Sequence, residues 1–198
     1  VYASSFIGRD TEIDALATAI EQHRLVSIVG AGGIGKSRLA TEAALRVVDH
    51  FHEGVWWVDL APLRDEDDLA IRVALTVGAP LGTNPDATHA LRRFLQHRET
   101  LIVLDNCEHL RTEAAQLCET LLAAGTGVRV LTTTRAALDV PGEVRLTADP
   151  LSTATADDES GTILDKLSAV DGTQALIAAV LVVDESGELG FSIAEGLA

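Results

Sequence analysis

A glycine-rich stretch, VSIVGAGGIGKSRLA at residues 26–40, carries the clearest chemical pattern in this sequence. Gly30, Gly35, Lys36 and Ser37 fit the spacing G-x-x-x-x-G-K-[ST] of a phosphate-binding loop. Glycines let consecutive backbone N–H groups turn towards one anion, and a helix beginning at Lys36 directs its positive dipole end to the same point. We expect Lys36 to reach the β- and γ-phosphates of a nucleotide and Ser37 to ligate Mg²⁺. The candidate contacts in this loop are Gly30, Gly32, Gly33, Ile34, Gly35, Lys36, Ser37 and Arg38.

The use of lysine supports a special role for Lys36. Of the 15 basic residues 13 are arginine, and Lys36 is the only lysine in the first 165 positions. Lysine carries a compact ammonium on a flexible stem, whereas arginine carries a rigid planar fork. A chain that otherwise uses arginine has therefore placed a point charge inside the glycine turn.

Polar residues that follow two other apolar stretches complete the candidate site. Asp105 ends the stretch LIVL and is the carboxylate expected to hold Mg²⁺. The next residue, Asn106, cannot take a proton from an attacking water, so the nearest carboxylate, Glu108, is either the general base or a surface residue. Arg135 follows another apolar stretch. Either its guanidinium binds γ-phosphate oxygens through forked hydrogen bonds, or it is a solvated arginine in a loop. The candidate catalytic residues are Lys36, Asp105 and Arg135, and the candidate Mg²⁺ ligands are Ser37 and Asp105.

Two further groups of residues have side chains that could bind a ligand or a metal, but their positions in the sequence predict a structural role. Trp56 and Trp57 are adjacent on a predicted strand, so their side chains point to opposite faces and are expected in the core rather than against a ligand. Cys107 and His109 lie beside Asp105, but two ligands without further partners at a suitable spacing do not predict a metal site.

The order of secondary structure elements follows from hydrophobic periodicity and from turn residues. Helices are predicted at residues 10–22, 36–49, 66–77, 86–97 and 112–124, with Asp10 and Thr112 as N-caps and Gly125 ending the last helix. Strands are predicted at residues 25–29, 55–60, 101–104, 128–131 and 143–146. Because the strands are apolar on both faces and alternate with helices, we predict an α/β fold with a doubly wound parallel sheet. Ligands of such sheets bind at the carboxyl ends of the strands.

Composition restricts the classes of function. The chain has 198 residues, is 47% hydrophobic and carries a formal charge of −15, which argues against direct binding of nucleic acid by this segment. Its two cysteines form no disulfide framework, and its longest apolar run, residues 175–183, is shorter than the ~20 residues that a membrane span needs. We expect a soluble, cytoplasmic protein without membrane contact. Since the sequence begins with valine and has no signal segment, we expect it to be a piece of something longer.

A change of composition after Leu151 predicts two domains. Residues 1–151 form the predicted nucleotide-binding domain. Residues 152–198 contain nine acidic residues and one basic residue, which predicts an acidic linker followed by a small segment with a hairpin near residues 180–193.

Four motifs in order resemble those of a known family. FIGRDTEIDAL at residues 6–16 is similar to the signature before the phosphate loop in STAND-class ATPases of the NB-ARC kind. GAGGIGKS, LIVLDNCEHL and VLTTTR are similar to the Walker A, Walker B and sensor motifs of the same family. The DNCEHL form most resembles the ATPase domains of bacterial transcriptional regulators of the LuxR and SARP types.

The resemblance implies a P-loop NTPase fold of the ASCE and STAND type and several roles for residues. Phe6, Ile7, Gly8 and Arg9 would lie over the adenine and ribose, Asp105 would be the Walker B carboxylate, and Arg135 would be the sensor arginine on the γ-phosphate. It also implies an ATP/ADP switch module of a signal-transducing regulator, with slow Mg²⁺-dependent hydrolysis, other domains of a longer regulator as partners, and self-association in the ATP state.

Two alternatives to this switch stay open. A module that holds nucleotide without turnover is favoured by Asn106 in place of a second carboxylate. A P-loop kinase or motor ATPase is the other alternative, and the absence of a basic substrate groove counts against it. The chain also departs from the family pattern, because GTQALIAA at residues 172–179 lacks the proline of the G-x-P motif. The segment 152–198 is therefore either a degenerate helical lid or an unrelated sequence.

Overall fold

The computed structural model describes residues 9–64, 68–82 and 86–148 of the chain. The strands in this part form one parallel sheet with the order β2-β3-β4-β1-β5. They are β1 (Leu25–Val29), β2 (Val55–Asp59), β3 (Thr100–Asp105), β4 (Val128–Thr134) and β5 (Glu143–Thr147). The predicted parallel sheet is confirmed, including its fifth strand.

Helices cover both faces of this sheet, as expected for strands that are apolar on both sides. The helices are α1 (Asp10–Gln22), α2 (Lys36–Val47), α3 (Leu69–Thr76), α4 (Ala87–Leu95) and α5 (Arg111–Ala124), and short 3-10 turns lie at Val48–His50 and Cys107–His109. One hydrophobic cluster joins α1 and α2 to the sheet, and a second joins α3, α4 and α5 to the opposite face. The fold is therefore the doubly wound α/β architecture.

The two tryptophans of β2 lie against the two different clusters. Trp56 packs against the α3–α5 cluster and Trp57 against the α1–α2 cluster, and both are half-buried because β2 is an edge strand. The prediction of opposite faces is confirmed. The indole Nε1 of Trp56 donates to the carbonyl oxygen of Glu53 at 3.0 Å, so its polar atom is satisfied within the fold.

Two predicted helix caps are wrong. Arg9 occupies the N-cap position of α1, and Asp10 is the first helical residue, where its carboxylate favours the helix dipole instead of capping an N–H group. Leu110 occupies the N-cap position of α5, so Thr112 lies within the first turn. Asp68 and Asp86 do cap helices, because their carboxylates accept hydrogen bonds from backbone N–H groups of α3 and α4.

The boundaries of several elements differ from the predicted ones. The strand that carries three threonines continues to Thr134, because these residues pair with β1 and are fully buried in the sheet. The second strand ends at Asp59 rather than at residue 60, and the helix after the phosphate loop changes to a 3-10 turn after Val47. Gly125 follows the last turn of α5, as predicted.

All strands run in the same direction, so their carboxyl ends meet at one edge of the sheet. The residues at this edge are Gly30 after β1, Asp59 and Asp105 at the ends of β2 and β3, and Arg135 after β4. We call it the carboxyl edge. None of the helices in the described ranges combines the length and apolar character needed to cross a bilayer. The predicted hairpin near residues 180–193 and the string at residues 172–179 lie outside the described residues.

Candidate functional site

The loop between β1 and α2 has a backbone that only glycine adopts readily. Gly33 and Gly35 have φ angles of 76° and 92°, in the left-handed region that side chains with a Cβ rarely occupy. A Cβ atom on Gly30 would lie 2.8 Å from the carbonyl oxygen of Ala148, which follows β5. The glycines predicted from the motif are thus required by conformation at two positions and by a close approach at a third.

Lys36 lies across this loop at the start of α2. Its side chain is 7% exposed, and its ammonium donates to the carbonyl oxygens of Gly30 and Ala31 at 3.0 Å each. These bonds hold the ammonium at the mouth of the loop, beside the N-terminus of α2. The positive charge and the first N–H groups of the helix therefore face the same point, which is an arrangement suited to an anion.

Asp105 lies across the carboxyl edge from the loop and is 5% exposed. Burial raises the pKa of its carboxyl group, and hydrogen bonds from the side chains of Thr133 and Ser37 oppose that rise. Asp59 adds a smaller repulsive contribution that also raises the pKa. The fold thus brings together Ser37 and Asp105, the two predicted Mg²⁺ ligands, and their hydroxyl and carboxylate oxygens are the donors that Mg²⁺ prefers.

Asn106 and Asp59 extend this cluster towards β2. The amide Nδ2 of Asn106 lies 3.1 Å from Oδ1 of Asp59 and 3.3 Å from Oδ2 of Asp105. The sequence analysis missed Asp59. It could have been found, because Asp59 ends β2 as Asp105 ends β3, and the two are register partners in the sheet.

Arg135 and Glu108 form an ion pair over the phosphate loop. Nε of Arg135 lies 3.2 Å from Oε1 of Glu108, and the Arg135 side chain is 65% exposed. A Cβ atom on Gly32 would lie 3.0 Å from the guanidinium of Arg135, so this arginine reaches the loop from β4. Oε2 of Glu108 has no hydrogen-bond partner among the described residues. A cavity of about 400 Å³ adjoins the pair and is lined by Glu108, His109, Arg111, Thr134, Arg135 and Ala136.

The other predicted residues form contacts within the fold or lie outside the described residues. Arg9 is 2% exposed and forms an ion pair with Glu12 at 3.5 Å. Ile34 packs against the α1–α2 cluster, and Arg38 lies in the first turn of α2. Phe6, Ile7 and Gly8 lie outside the described residues, so their predicted contact with adenine and ribose stays a prediction.

The side chains of Cys107 and His109 form hydrogen bonds with backbone carbonyl oxygens. The thiol of Cys107 is buried and donates to the carbonyl oxygen of Leu104 at 3.3 Å, and burial raises its pKa well above the ordinary value. Nε2 of His109 lies 3.0 Å from the carbonyl oxygen of Leu63. Within the described ranges, no group of three or more His, Cys, Asp and Glu side chains is placed to hold a metal ion.

The parallel sheet, the glycine loop after β1 and the carboxylate at the end of β3 define a P-loop NTPase fold. The NB-ARC domain family matches residues 9–172, and the chain belongs to this family. It is therefore a nucleotide-binding module of the STAND class.

Relatives with similar sequences include two proteins of Mycobacterium tuberculosis. The chain is 32% identical over 151 residues to a protein of Mycobacterium tuberculosis described as uncharacterized, covering 76% of this chain and 38% of that protein. It is 38% identical over 125 residues to a putative HTH-type transcriptional regulator of the same organism, covering 63% of this chain and 14% of the regulator. The chain thus spans well under half the length of these relatives.

Two solved structures share the fold. The STAND protein with a tetratricopeptide repeat sensor from Pyrococcus horikoshii aligns with a TM-score of 0.52 at 18% identity, over 75% of this chain and 24% of that one. Cdc6p from Pyrobaculum aerophilum aligns with a TM-score of 0.56 at 12% identity, over 73% of this chain and 46% of that one. At these identities the likeness concerns the fold alone.

Proposed function

We propose that this chain is an ATP/ADP switch module that binds the nucleotide with Mg²⁺ and hydrolyses ATP slowly. The observation that carries the proposal is the meeting of Ser37 and Asp105 beside the loop that holds Lys36. A hydroxyl, a buried carboxylate and an ammonium around one helix N-terminus fit a phosphate chain with a hard cation. Lys36, Asp105 and Arg135 are the proposed catalytic residues.

Mg²⁺ would be held by Ser37 and Asp105, and when bound it would neutralise charge on the β- and γ-phosphates. The chain's own residues do the rest. Lys36 binds the phosphates as a point charge, and backbone N–H groups from Gly32 to Ser37 surround them. Phe6, Ile7, Gly8 and Arg9 are proposed to cover the adenine and ribose.

Arg135 is proposed to sense the γ-phosphate. Its guanidinium already reaches the loop near Gly32, and it is 65% exposed while its partner Glu108 is 24% exposed. A γ-phosphate offers the guanidinium two oxygens in a forked arrangement, whereas ADP offers none at this position. Arg135 would then pair with the γ-phosphate in the ATP state and with Glu108 in the ADP state, and this change of partner would distinguish the two states.

A binding module without turnover is the second candidate, and Asn106 is the observation that favours it. The amide donates to two carboxylates and cannot accept a proton, and Glu108 is engaged by Arg135. Both contacts predict slow hydrolysis of ATP. The two candidates differ only in whether phosphate is released.

The experiment is to titrate the purified 198-residue chain with labelled ATP and ADP and then to follow phosphate release over hours. Saturable binding with slow release supports the switch, and binding with no release above the blank selects the second candidate. Absence of binding to either nucleotide would refute both. A chain with Lys36→Ala is the control for contaminating ATPase, since its release should fall to the blank.

The proposed setting is a longer signal-transducing regulator. It rests on the relative named as a putative HTH-type transcriptional regulator, of which this chain covers 14%. We propose residues 1–151 as the nucleotide-binding domain and residues 152–198 as an acidic linker with a degenerate lid or an unrelated segment. The setting is cytoplasmic, since ATP and reduced, buried cysteines fit that compartment.

Other domains would contact DNA, because this segment carries a net charge of −15. Self-association in the ATP state is also proposed. Sedimentation of the full regulator with ATP and with ADP tests it, and identical sedimentation in the two states would contradict it.

A further inference from the structure

Three polar side chains, those of Asp59, Asp105 and Asn106, meet where β2 and β3 end. The proposed binding of nucleotide and Mg²⁺ gives a role to Asp105 but not to Asp59. Asp59 and Asp105 are register partners at the ends of neighbouring strands. The amide of Asn106 lies between them, with Nδ2 at 3.1 Å from Asp59 and 3.3 Å from Asp105. Asp59 is half-buried, and its Oδ1 also accepts a hydrogen bond from the backbone N–H of Ala61 at 2.9 Å.

The orientation of the Asn106 amide follows from its neighbours. Ionised carboxylates only accept hydrogen bonds, so the NH₂ group must face Asp59 and Asp105 and the carbonyl oxygen must face away from them. The backbone N–H of Asn106 donates to the hydroxyl oxygen of Thr133 at 2.9 Å, which fixes the start of this residue beside β4. Asn106 itself has a left-handed φ of 64°, a conformation that asparagine tolerates better than most residues.

The same contacts explain why an amide and not a carboxylate follows Asp105. Two carboxylates within reach of one side chain already repel each other, and Asp59 raises the pKa of Asp105 by this repulsion. A third carboxylate at position 106 would add to the repulsion, whereas an amide N–H₂ group relieves it. The second acidic residue of the site is therefore Asp59 at the end of β2, and not a residue at position 106 directly after β3.

We propose that Asp59 is a positioning residue of the nucleotide site, which fixes the Asn106 amide so that its carbonyl oxygen accepts a hydrogen bond from the attacking water. This inference rests on the proposed slow hydrolysis. In that step the water oxygen bonds to the γ-phosphorus, and the bond from this phosphorus to the β–γ bridging oxygen breaks. The bond's electron pair stays on ADP, and the water proton passes to a phosphate oxygen. Asn106 orients the water without taking its proton, and the reaction is slow for that reason.

The test is a double-mutant cycle on the full chain, read out as the kcat of phosphate release and, separately, as the dissociation constants of ATP and ADP. Asp59→Ala is expected to lower kcat about tenfold, because a water that is no longer oriented reacts more slowly, with both affinities within about twofold. Asp59→Asn should recover most of the rate, because its carbonyl oxygen can still accept from the Asn106 amide. Asn106→Ala should match Asp59→Ala, and the double alanine variant should be no slower than either single variant.

Glu53→Ala is the matched control, because Glu53 precedes β2 at the opposite end of the same strand and its carboxylate binds the backbone N–H of Glu99 at 2.7 Å. Its kcat should equal that of the unchanged chain. Additive effects in the double variant, or equal loss of rate and affinity in Asp59→Ala, would overturn the inference and leave hydrolysis standing. If the unchanged chain binds ATP and releases no phosphate, the inference falls together with turnover, while nucleotide binding stands.

Discussion

The two edges of the sheet use arginine in opposite ways. At the amino edge, where the strands begin, Arg24 donates from Nη2 to the carbonyl oxygens of Leu122 and Gly125 at 2.5 Å each and from Nε to that of Val128 at 3.4 Å. At the carboxyl edge, Arg135 pairs with one carboxylate, that of Glu108, among the described residues, and it is 65% exposed. At the amino edge the guanidinium of Arg24 is bound by backbone carbonyl oxygens of the fold. At the carboxyl edge the guanidinium of Arg135 is largely exposed and can bind a further partner.

Two glycines at the amino edge also differ from two glycines of the phosphate loop. A Cβ on Gly125 would lie 2.8 Å from the carbonyl oxygen of Gln96, and one on Gly127 would lie 2.5 Å from that of Arg98. At the carboxyl edge, a Cβ on Gly33 or Gly35 would meet nothing, and these residues are glycine because of their left-handed φ angles. Gly125 and Gly127 thus allow tight packing, whereas Gly33 and Gly35 allow an open, curved backbone in the phosphate loop. The comparison predicts that changes at the amino edge reduce stability and changes at the carboxyl edge reduce nucleotide binding.

Lys36→Ala should give the largest effect on binding. ATP affinity should fall by at least about 100-fold, because charged hydrogen bonds contribute about 1.5–3 kcal/mol each and 1.4 kcal/mol is about tenfold in affinity. The measurement is calorimetric titration with ATP and Mg²⁺. Lys166→Ala changes the chain's other lysine and should leave the affinity unchanged. Retained affinity in Lys36→Ala would remove this residue from the site.

Arg24→Ala should give the largest effect on stability. The free energy of unfolding should fall by about 2–3 kcal/mol, because the variant leaves three backbone carbonyl groups without their donor. Urea unfolding measures the change. The folded fraction should bind ATP as the unchanged chain does, and a loss of affinity with unchanged stability would reverse the proposed difference between the edges.

Arg135→Ala should separate the two nucleotides. ATP affinity should fall about tenfold, as for the loss of one charged hydrogen bond, and ADP affinity by less than about twofold. Arg111→Ala is the matched control, since Arg111 lines the same cavity but binds the carbonyl oxygen of Ala137 at 2.5 Å and the carboxylate of Asp139. Equal weakening of ATP and ADP by Arg135→Ala would refute the sensor role.

Glu143→Gln should give the smallest effect, and that effect should depend on pH. Burial raises the pKa of Glu143, but hydrogen bonds from Ser27, the backbone of Leu138 and Asp139, and Arg145 outweigh it, so the pKa lies below its ordinary value. Such a group stabilises the fold above its ordinary pKa, and this contribution is lost as pH falls through the lowered pKa. The variant should cost about 1 kcal/mol at pH 7 and less at low pH.

Urea unfolding at several pH values checks this prediction, with Glu119→Gln on the exposed side of α5 as the control. A cost that stays constant or grows as the pH falls would contradict the assignment. So would an equal cost in the control.

Much of the fold could be predicted, because features of the local sequence explain each strand and each glycine of the phosphate loop. Apolar runs on both faces require a covered parallel sheet, and the glycine spacing around Lys36 requires a turn into a helix. Asp105 could be predicted because it ends such a run. Asp59 ends another and was missed, because the run VWWVDL continues to a leucine and concealed the strand end at residue 59.

Caps and long-range pairs could not be predicted from local sequence. Asp10 and Thr112 have the right residue type for an N-cap, but both lie inside their helices. α1 begins at Asp10, one residue earlier than a cap there would require, and α5 begins at Arg111, two residues earlier than a cap at Thr112 would require. The pair of Arg135 with Glu108 joins residues from different elements, and only the folded sheet brings them together. The bridging position of Asn106 likewise depends on the register of β2 against β3.

The most direct test of the central claim is calorimetric titration of the full chain with ATP, in Mg²⁺ and in EDTA, for the unchanged chain and for Asp105→Asn. The account predicts one saturable site whose affinity falls when Mg²⁺ is removed, and a variant in which Mg²⁺ makes little difference. Absence of saturable ATP binding, or the same Mg²⁺ dependence in Asp105→Asn as in the unchanged chain, would contradict it.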